Sequence, residues 1–202
     1  MNTLFDTTEY TVVDEDFTSE DYETPPVVAA GIARLARYSE KRILEPSAGR
    51  GSIVRELARR HKAEVTAIEL KPNRVNDGRV LAPDANWICG DFLNGGILPP
   101  DSKFDLIVTN PPFSWGIEFI ERSLALLKDE RSRLLFLLPG DYFASQERND
   151  RFESLNCCIS YRWRIRGRVD YLKEGILQTG RQIYDSVYEI RPGKNRATES
   201  VL

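Results

Sequence analysis

The stretch Phe104-Asp105-Leu106-Ile107-Val108-Thr109-Asn110-Pro111-Pro112-Phe113 decides the reading of this chain. Its first half is apolar and β-branched, which reads as a buried strand. Two successive prolines then stop the strand and remove two backbone donors. They also keep the chain stiff and extended where it leaves the sheet. The corner presents an amide side chain, bare carbonyls and an aromatic ring. The Asn and Pro oxygens accept hydrogen bonds, and the proline nitrogens donate none. Such a corner suits a group with two N–H bonds to give, such as an exocyclic amine, with Phe113 stacked on the flat ring that carries it. The same residues also describe a proline-capped strand end with a core Phe.

The flanking sequence repeats the strand-end pattern. Arg42-Ile43-Leu44-Glu45-Pro46-Ser47-Ala48-Gly49-Arg50-Gly51 reads as a strand entering a small turn, and Ile53 to Ala58 begins a helix. Glycines there let a ligand approach the backbone, and the helix start offers free N–H groups. The dinucleotide fingerprint and the P-loop are both absent. Glu64 to Leu70 reads as a second strand ending in the acid Glu69, the place where a doubly wound unit takes ribose hydroxyls. Ala85 to Leu93 reads as a third strand ending in Gly90-Asp91-Phe92, where Asp91 could accept from an adenine amine while Phe92 packs on its ring. Ile117, Phe119, Ile120, Leu124 and Leu127 mark an amphipathic helix, and Leu134 to Pro139 a fully apolar strand. Strands alternating with helices predict an α/β layered sheet with right-handed crossovers. Ligands of such sheets bind beyond the strands' carboxyl ends, and Glu45, Glu69, Asp91 and Asn110 all stand there.

Upstream, Thr24 reads as a helix N-cap with Pro25 at the first helical position, before Val27, Val28, Ile32 and Leu35. Residues 1–20 are polar and acidic without periodicity, which predicts a flexible arm. Residues 21–192 read as one catalytic domain and 193–202 as a frayed tail. Near the end, Tyr161-Arg162-Trp163-Arg164-Ile165-Arg166 alternates, so its arginines share one face. With Arg168 and Lys173 they form a basic, aromatic-interleaved stretch that fits a phosphate-tracking surface, or an edge strand protected by charge. Tyr184 to Ile190 reads as a last strand.

Composition narrows the class. The chain has 202 residues, 41% hydrophobic and 29% charged, ordinary for one globular domain. Its net charge of −3 hides an asymmetry: residues 1–30 hold eight acids and no Lys or Arg, which leaves +5 for the rest. No apolar run is long enough to span a membrane, and the N-terminus lacks a secretory signal. Cys157 and Cys158 are adjacent, and His61 is the one histidine, so reduced thiols in the cytoplasm are expected and a zinc site is not.

Glu45-Pro46-Ser47-Ala48-Gly49-Arg50-Gly51 together with Asn110-Pro111-Pro112-Phe113 resembles the S-adenosylmethionine-dependent amino-methyltransferases. Glu23-Thr24-Pro25-Pro26 resembles the segment ahead of the cofactor loop in gamma-order DNA N6-adenine methyltransferases. The resemblance covers roughly residues 22–140 and extends weakly to 190. It implies a Rossmann-like class I methyltransferase fold with a doubly wound, mostly parallel seven-stranded sheet. It also implies that Thr24, Pro25, Glu45, Ser47, Gly49 and Gly51 surround the methionine part of S-adenosyl-L-methionine. Glu69 would hold the ribose and Asp91 with Phe92 the adenine. Asn110, which also borders the cofactor, would accept from the target amine with Pro111. Pro112 would stiffen the corner and Phe113 would stack on the target base. The Asn-Pro-Pro-Phe tetrad is shared with RNA adenine- and guanine-amine enzymes and with protein-glutamine methyltransferases, so those substrates stay open beside DNA. A non-catalytic cofactor-binding partner subunit is the reading from another class. About fifty residues after the core cannot supply a recognition domain, which leaves room for a homodimer or a specificity partner.

Overall fold

The computed structural model describes residues 22–166, 169–173, 176–178 and 184–193. The predicted acidic arm of residues 1–20, and the predicted tail beyond Gly193, lie outside the described residues. In chain order the elements are β1 (Tyr22–Glu23), α1 (Pro26–Ala33), β2 (Arg42–Glu45), α2 (Ser52–Arg60), β3 (Glu64–Glu69), α3 (Pro72–Leu81) and β4 (Asn86–Cys89). Then follow β5 (Leu106–Thr109), α4 (Gly116–Ala125), β6 (Arg133–Pro139), α5 (Gln146–Ser154), β7 (Cys157–Arg164), β8 (Tyr171–Lys173), β9 (Ile176–Gln178) and β10 (Asp185–Pro192).

Seven strands form one sheet in the order β4-β3-β2-β5-β6-β10-β7. Its strands run parallel except β10, which is antiparallel to both β6 and β7. This is the Rossmann-like class I arrangement that the alternation of elements and the family resemblance led us to expect. The chain steps outward from β2 to β3 and β4, then returns to lay β5 on the other side of β2. That reversal opens a crevice beyond the carboxyl ends of β2 and β5. Every residue of β5 and β6 is buried, because helices cover both faces. Ile32, Ile53, Leu57 and Val75 pack on one face, and Ile117, Phe119, Ile120 and Phe152 on the other.

Three local readings need correction. Thr24 does not cap α1: Pro25 takes the cap position, Pro26 starts the helix, and no side chain caps it. The strand expected over residues 85–93 ends at Cys89, so Gly90-Asp91-Phe92 is a turn beyond it. A second, three-stranded sheet, β1-β8-β9, was not foreseen; Tyr22 pairs with Lys173 and Glu23 with Leu172. Two residues cannot announce a strand by periodicity, so β1 had no signal.

The amino-terminal end of the sheet is held by a buried charge cluster. Arg133 is 1% exposed; its Nε donates to Glu40 at 2.7 Å and its Nη1 to Glu189 at 2.6 Å. Nη2 donates to the Leu35 carbonyl at 2.6 Å. Burial alone would raise Glu189, but Ser160, Arg191 and Arg133 outweigh it and hold the carboxyl below its ordinary value. One guanidinium thus ties the end of the α1 region to β6 and β10. Removing it leaves the buried Glu40 without its cation, while Glu189 keeps only Arg37 and Arg191. Arg133→Met should destabilise the fold by about 3–5 kcal/mol, read from urea unfolding midpoints.

Candidate active site

A cavity of about 1240 Å³ opens beyond the strand ends, lined among others by Ser47, Gly49, Glu69, Asp91, Phe92 and the whole run from Asn110 to Phe113. A small side chamber of about 20 Å³ lies next to it, bordered by Thr24, Glu45, Ser47, Gly49 and Asn110. Of the residues predicted to hold a cofactor, only Pro25 and Gly51 border neither space. The Pro25 carbonyl accepts from Val28 and Ala29 at the start of α1. Gly51 has φ +93°, and a Cβ there would stand 2.9 Å from the Trp87 ring. Its lack of a side chain admits the indole between α2 and α3.

The corner after β5 is fixed from two sides. Asn110 Nδ2 donates to Thr24 Oγ1 at 3.2 Å, so Thr24 acts on the asparagine and not on a helix end. Asn110 Oδ1 is buried with no partner among the described residues. Ser47 Oγ lies 2.5 Å from Thr109 Oγ1 and donates to the Asn110 carbonyl at 3.2 Å, joining the loop after β2 to the end of β5. Tyr142 OH donates to the Phe113 carbonyl at 3.0 Å. The orientation of the amide therefore leaves one acceptor free at the seam of the two spaces. A buried acceptor without a partner is costly, and a donor from a ligand would relieve it.

Three acids stand at the strand ends, Glu45, Glu69 and Asp91. Glu45 is 2% exposed and its Oε2 has no partner. Burial, with the nearby Glu69 charge added, holds its carboxyl well above the ordinary value. Glu69 Oε2 accepts from Gly49 N at 2.8 Å and Oε1 from Lys71 N at 2.9 Å, which fixes its carboxylate while each oxygen keeps a second lone pair. Gly49 has φ +56°, and nothing lies within 4 Å of where a Cβ would be. Asp91 is exposed, and its Oδ1 accepts from Leu93 N at 2.9 Å, which leaves the other oxygen to a ligand. A sulfonium compound with an ammonium, two ribose hydroxyls and an adenine amine matches this donor and acceptor set.

Several wall residues escaped the sequence reading: Tyr22, Asp141, Tyr142, Arg148, Trp115 and Tyr171. Asp141 and Tyr142 follow the end of β6, so the strand-end rule could have found them. Tyr22 and Tyr171 arrive with the unforeseen sheet; their rings lie 6.1 Å apart, and Tyr171 meets Phe113 edge-on at 6.5 Å. The basic stretch is mixed in character. Arg162, Arg164 and Arg166 are exposed and alternate with Trp163 and Ile165, which pack on the core. Arg162 braces the end of β6: Nη2 donates to the Gly140 carbonyl at 2.6 Å and Nε to Ser186 at 3.1 Å. Arg164 lies over the Tyr184 ring. Arg168 falls outside the described residues, and Lys173 is described only as part of β8.

The raised Glu45 gives a pH signature. The folded chain holds this proton more tightly than the unfolded one, whose glutamate titrates near about 4.3. The stability it contributes is complete below that value and is lost as pH rises through the raised folded value. The stability difference between the protein and Glu45→Gln should therefore shift in favour of Glu45→Gln as pH rises above about 4, in urea titrations across pH.

Residues 43–130 match the family profile described as a methyltransferase domain. No curated protein sequence matches the chain. TrmN from Thermus thermophilus is similar in structure, at 21% identity and TM-score 0.59, over 83% of this chain and 48% of that one. The chain thus spans about half the length of that protein. A candidate RNA methyltransferase from Pyrococcus horikoshii is similar at 16% identity and TM-score 0.67, over 90% of this chain and 91% of that one. A modification subunit of a candidate type I restriction enzyme from Vibrio vulnificus YJ016 is similar at 15% identity and TM-score 0.66, over 88% and 46%. At such identities the likeness is one of fold. Taken with the sheet order, it shows the Rossmann-like class I fold, within which residues 43–130 are similar to a methyltransferase domain.

Proposed function

We propose that the chain methylates the exocyclic amine of adenine in DNA, at N6, on a base turned out of its strand. The observation that carries this reading is the buried, unpartnered Asn110 Oδ1, held in place by the bond from Nδ2 to Thr24. It supports DNA adenine in particular because Thr24 belongs to the segment resembling gamma-order enzymes, and that segment reaches the corner it would serve.

When bound, the cofactor supplies an activated methyl group on its sulfonium sulfur. The chain's own residues act on the amine. Its lone pair is conjugated with the ring, and acceptors that draw the N–H bonds aside free it for attack. Asn110 Oδ1 and the Pro111 carbonyl are those acceptors, Pro112 keeps the corner rigid, and Phe113 stacks on the base. Glu45, Ser47 and Gly49 hold the methionine part, Glu69 the ribose, and Asp91 with Phe92 the adenine. The proton leaves to water, since His61 is buried against the Ala33 carbonyl and no strong base is needed. Turning the base out costs a few kcal/mol in a duplex and less in a single strand. The exposed Arg164 and Arg166, with Arg162 beside them, follow the strand's phosphates and give affinity with little sequence preference.

A second reading, an RNA base amine, is favoured by Phe113 at the fourth tetrad position, where the tetrad resembles that of guanine-amine RNA enzymes, and agrees with the candidate RNA methyltransferase among the similar structures. The restriction-enzyme modification subunit agrees with the first. Cofactor with a labelled methyl group, offered with DNA, RNA or protein, should label DNA at adenine N6. Label confined to RNA selects the second reading, label on protein glutamine overturns both, and no label on any of them points to a non-catalytic partner subunit. Asn110→Ala should abolish transfer while S-adenosylhomocysteine binds nearly as before; equal loss of both would move Asn110 to the cofactor. Thr24→Val should lower turnover about tenfold by releasing the amide, with stability little changed.

A further inference from the structure

Trp115 and Arg148 stand on the wall of the main cavity, and neither serves the core or the groups assigned above. Trp115 ends the short 3-10 turn Phe113–Trp115 and is 49% exposed. Among the described residues no other ring stacks on it. Arg148, on the first turn of α5, is also exposed, and it forms no ion pair among the described residues. Its guanidinium lies over the Tyr142 ring, 4.7 Å from the centroid. Tyr142 in turn donates to the Phe113 carbonyl, so one ring links Arg148 to the Asn-Pro-Pro-Phe corner.

The two side chains border one cavity, and the helices behind them are joined. Glu118 of α4 and Arg151 of α5 pair at 2.7 Å. Trp115 lies three residues before Glu118, and Arg148 three before Arg151. Stepping back one turn from a joined pair puts Trp115 and Arg148 at the same end of the two helices. Both residues line the main cavity there. An exposed indole and a guanidinium without an ion pair on the wall of so large a cavity fit a nucleotide strand: aromatic rings stack on any base, and arginine takes phosphate.

We infer that Trp115 and Arg148 hold the nucleotide next to the target base. The indole stacks on the neighbouring base and replaces the partner lost when the target turns out. Arg148 takes the phosphate between the two. This rests on the nucleic-acid reading above and extends it to two residues outside the tetrad and the basic stretch. Both contacts are blind to sequence.

Binding of the full chain to single-stranded DNA and RNA oligonucleotides of one sequence, measured by fluorescence anisotropy across salt with S-adenosylhomocysteine present, tests it. Trp115→Ala should weaken binding by about 5- to 100-fold, and Trp115→Phe should restore most of it. Arg148→Ala should weaken binding and flatten the salt slope by about 0.7, the value for one contact on a single strand. Affinity for S-adenosylhomocysteine should be unchanged in all three variants. The arm that binds more tightly and accepts methyl identifies the strand as DNA or RNA. If the unaltered chain methylates an oligonucleotide and both alanine variants bind it as tightly, the inference falls and the proposed function stands. If the unaltered chain methylates neither, the proposed function falls, and the inference with it.

Discussion

The pairing of β2 with β5 is the constraint on which the rest depends. These strands are far apart in sequence, yet Ile43 is registered against Leu106 and Leu44 against Ile107. The register places the loop after β2 against the end of β5, and the Ser47 to Thr109 hydrogen bond closes the seam. A slip by one residue would turn Leu44 and Ile107 out of the core face they share. It would also part Glu45 from the Asn110 corner. The site is thus a consequence of sheet register, and its side chains need no separate scaffold.

Charge is distributed about the sheet in two contrasting ways. At the amino-terminal end, Arg133 meets Glu40 and Glu189, and the buried charges compensate one another. At the carboxyl end, Glu45 and Glu69 lie close together, and the first has no cation beside it. A low-dielectric setting makes an uncompensated carboxylate expensive, so Glu45 stays closer to its neutral form. One end of the sheet balances its buried charges with a guanidinium, and the other balances a buried acid by keeping its proton.

Much of this was legible in the sequence because the relevant signals are short-range. Leu134 to Leu138 could only be a strand covered on both faces, and acids or amides after such strands had to face the crevice. Asn110, Glu45, Glu69 and Asp91 were found by that rule alone. What escaped depends on distant partners. Thr24 looks like a helix cap locally, and only the Asn110 side chain, 86 residues on, shows otherwise. Gly51 sits in a glycine loop that suggests a ligand, while Trp87 is what requires it to be bare. Tyr22 and Tyr171 reach the cavity through a pairing of two-residue and three-residue strands that no pattern could announce.

The order of strands in space differs from their order of synthesis at one telling place. β10, the last strand among the described residues, lies between β6 and β7, and β7 has β10 as its sheet partner. Without residues 185–192 the parallel strands would end in a bare β6 edge, and β7 would lose its neighbour in the sheet. β1 depends in the same way on β8, about 150 residues downstream of it. Non-local closures of this kind slow folding and leave sticky edges open meanwhile. Tyr22 and Tyr171 therefore reach the cavity wall only once two distant stretches of the chain have paired.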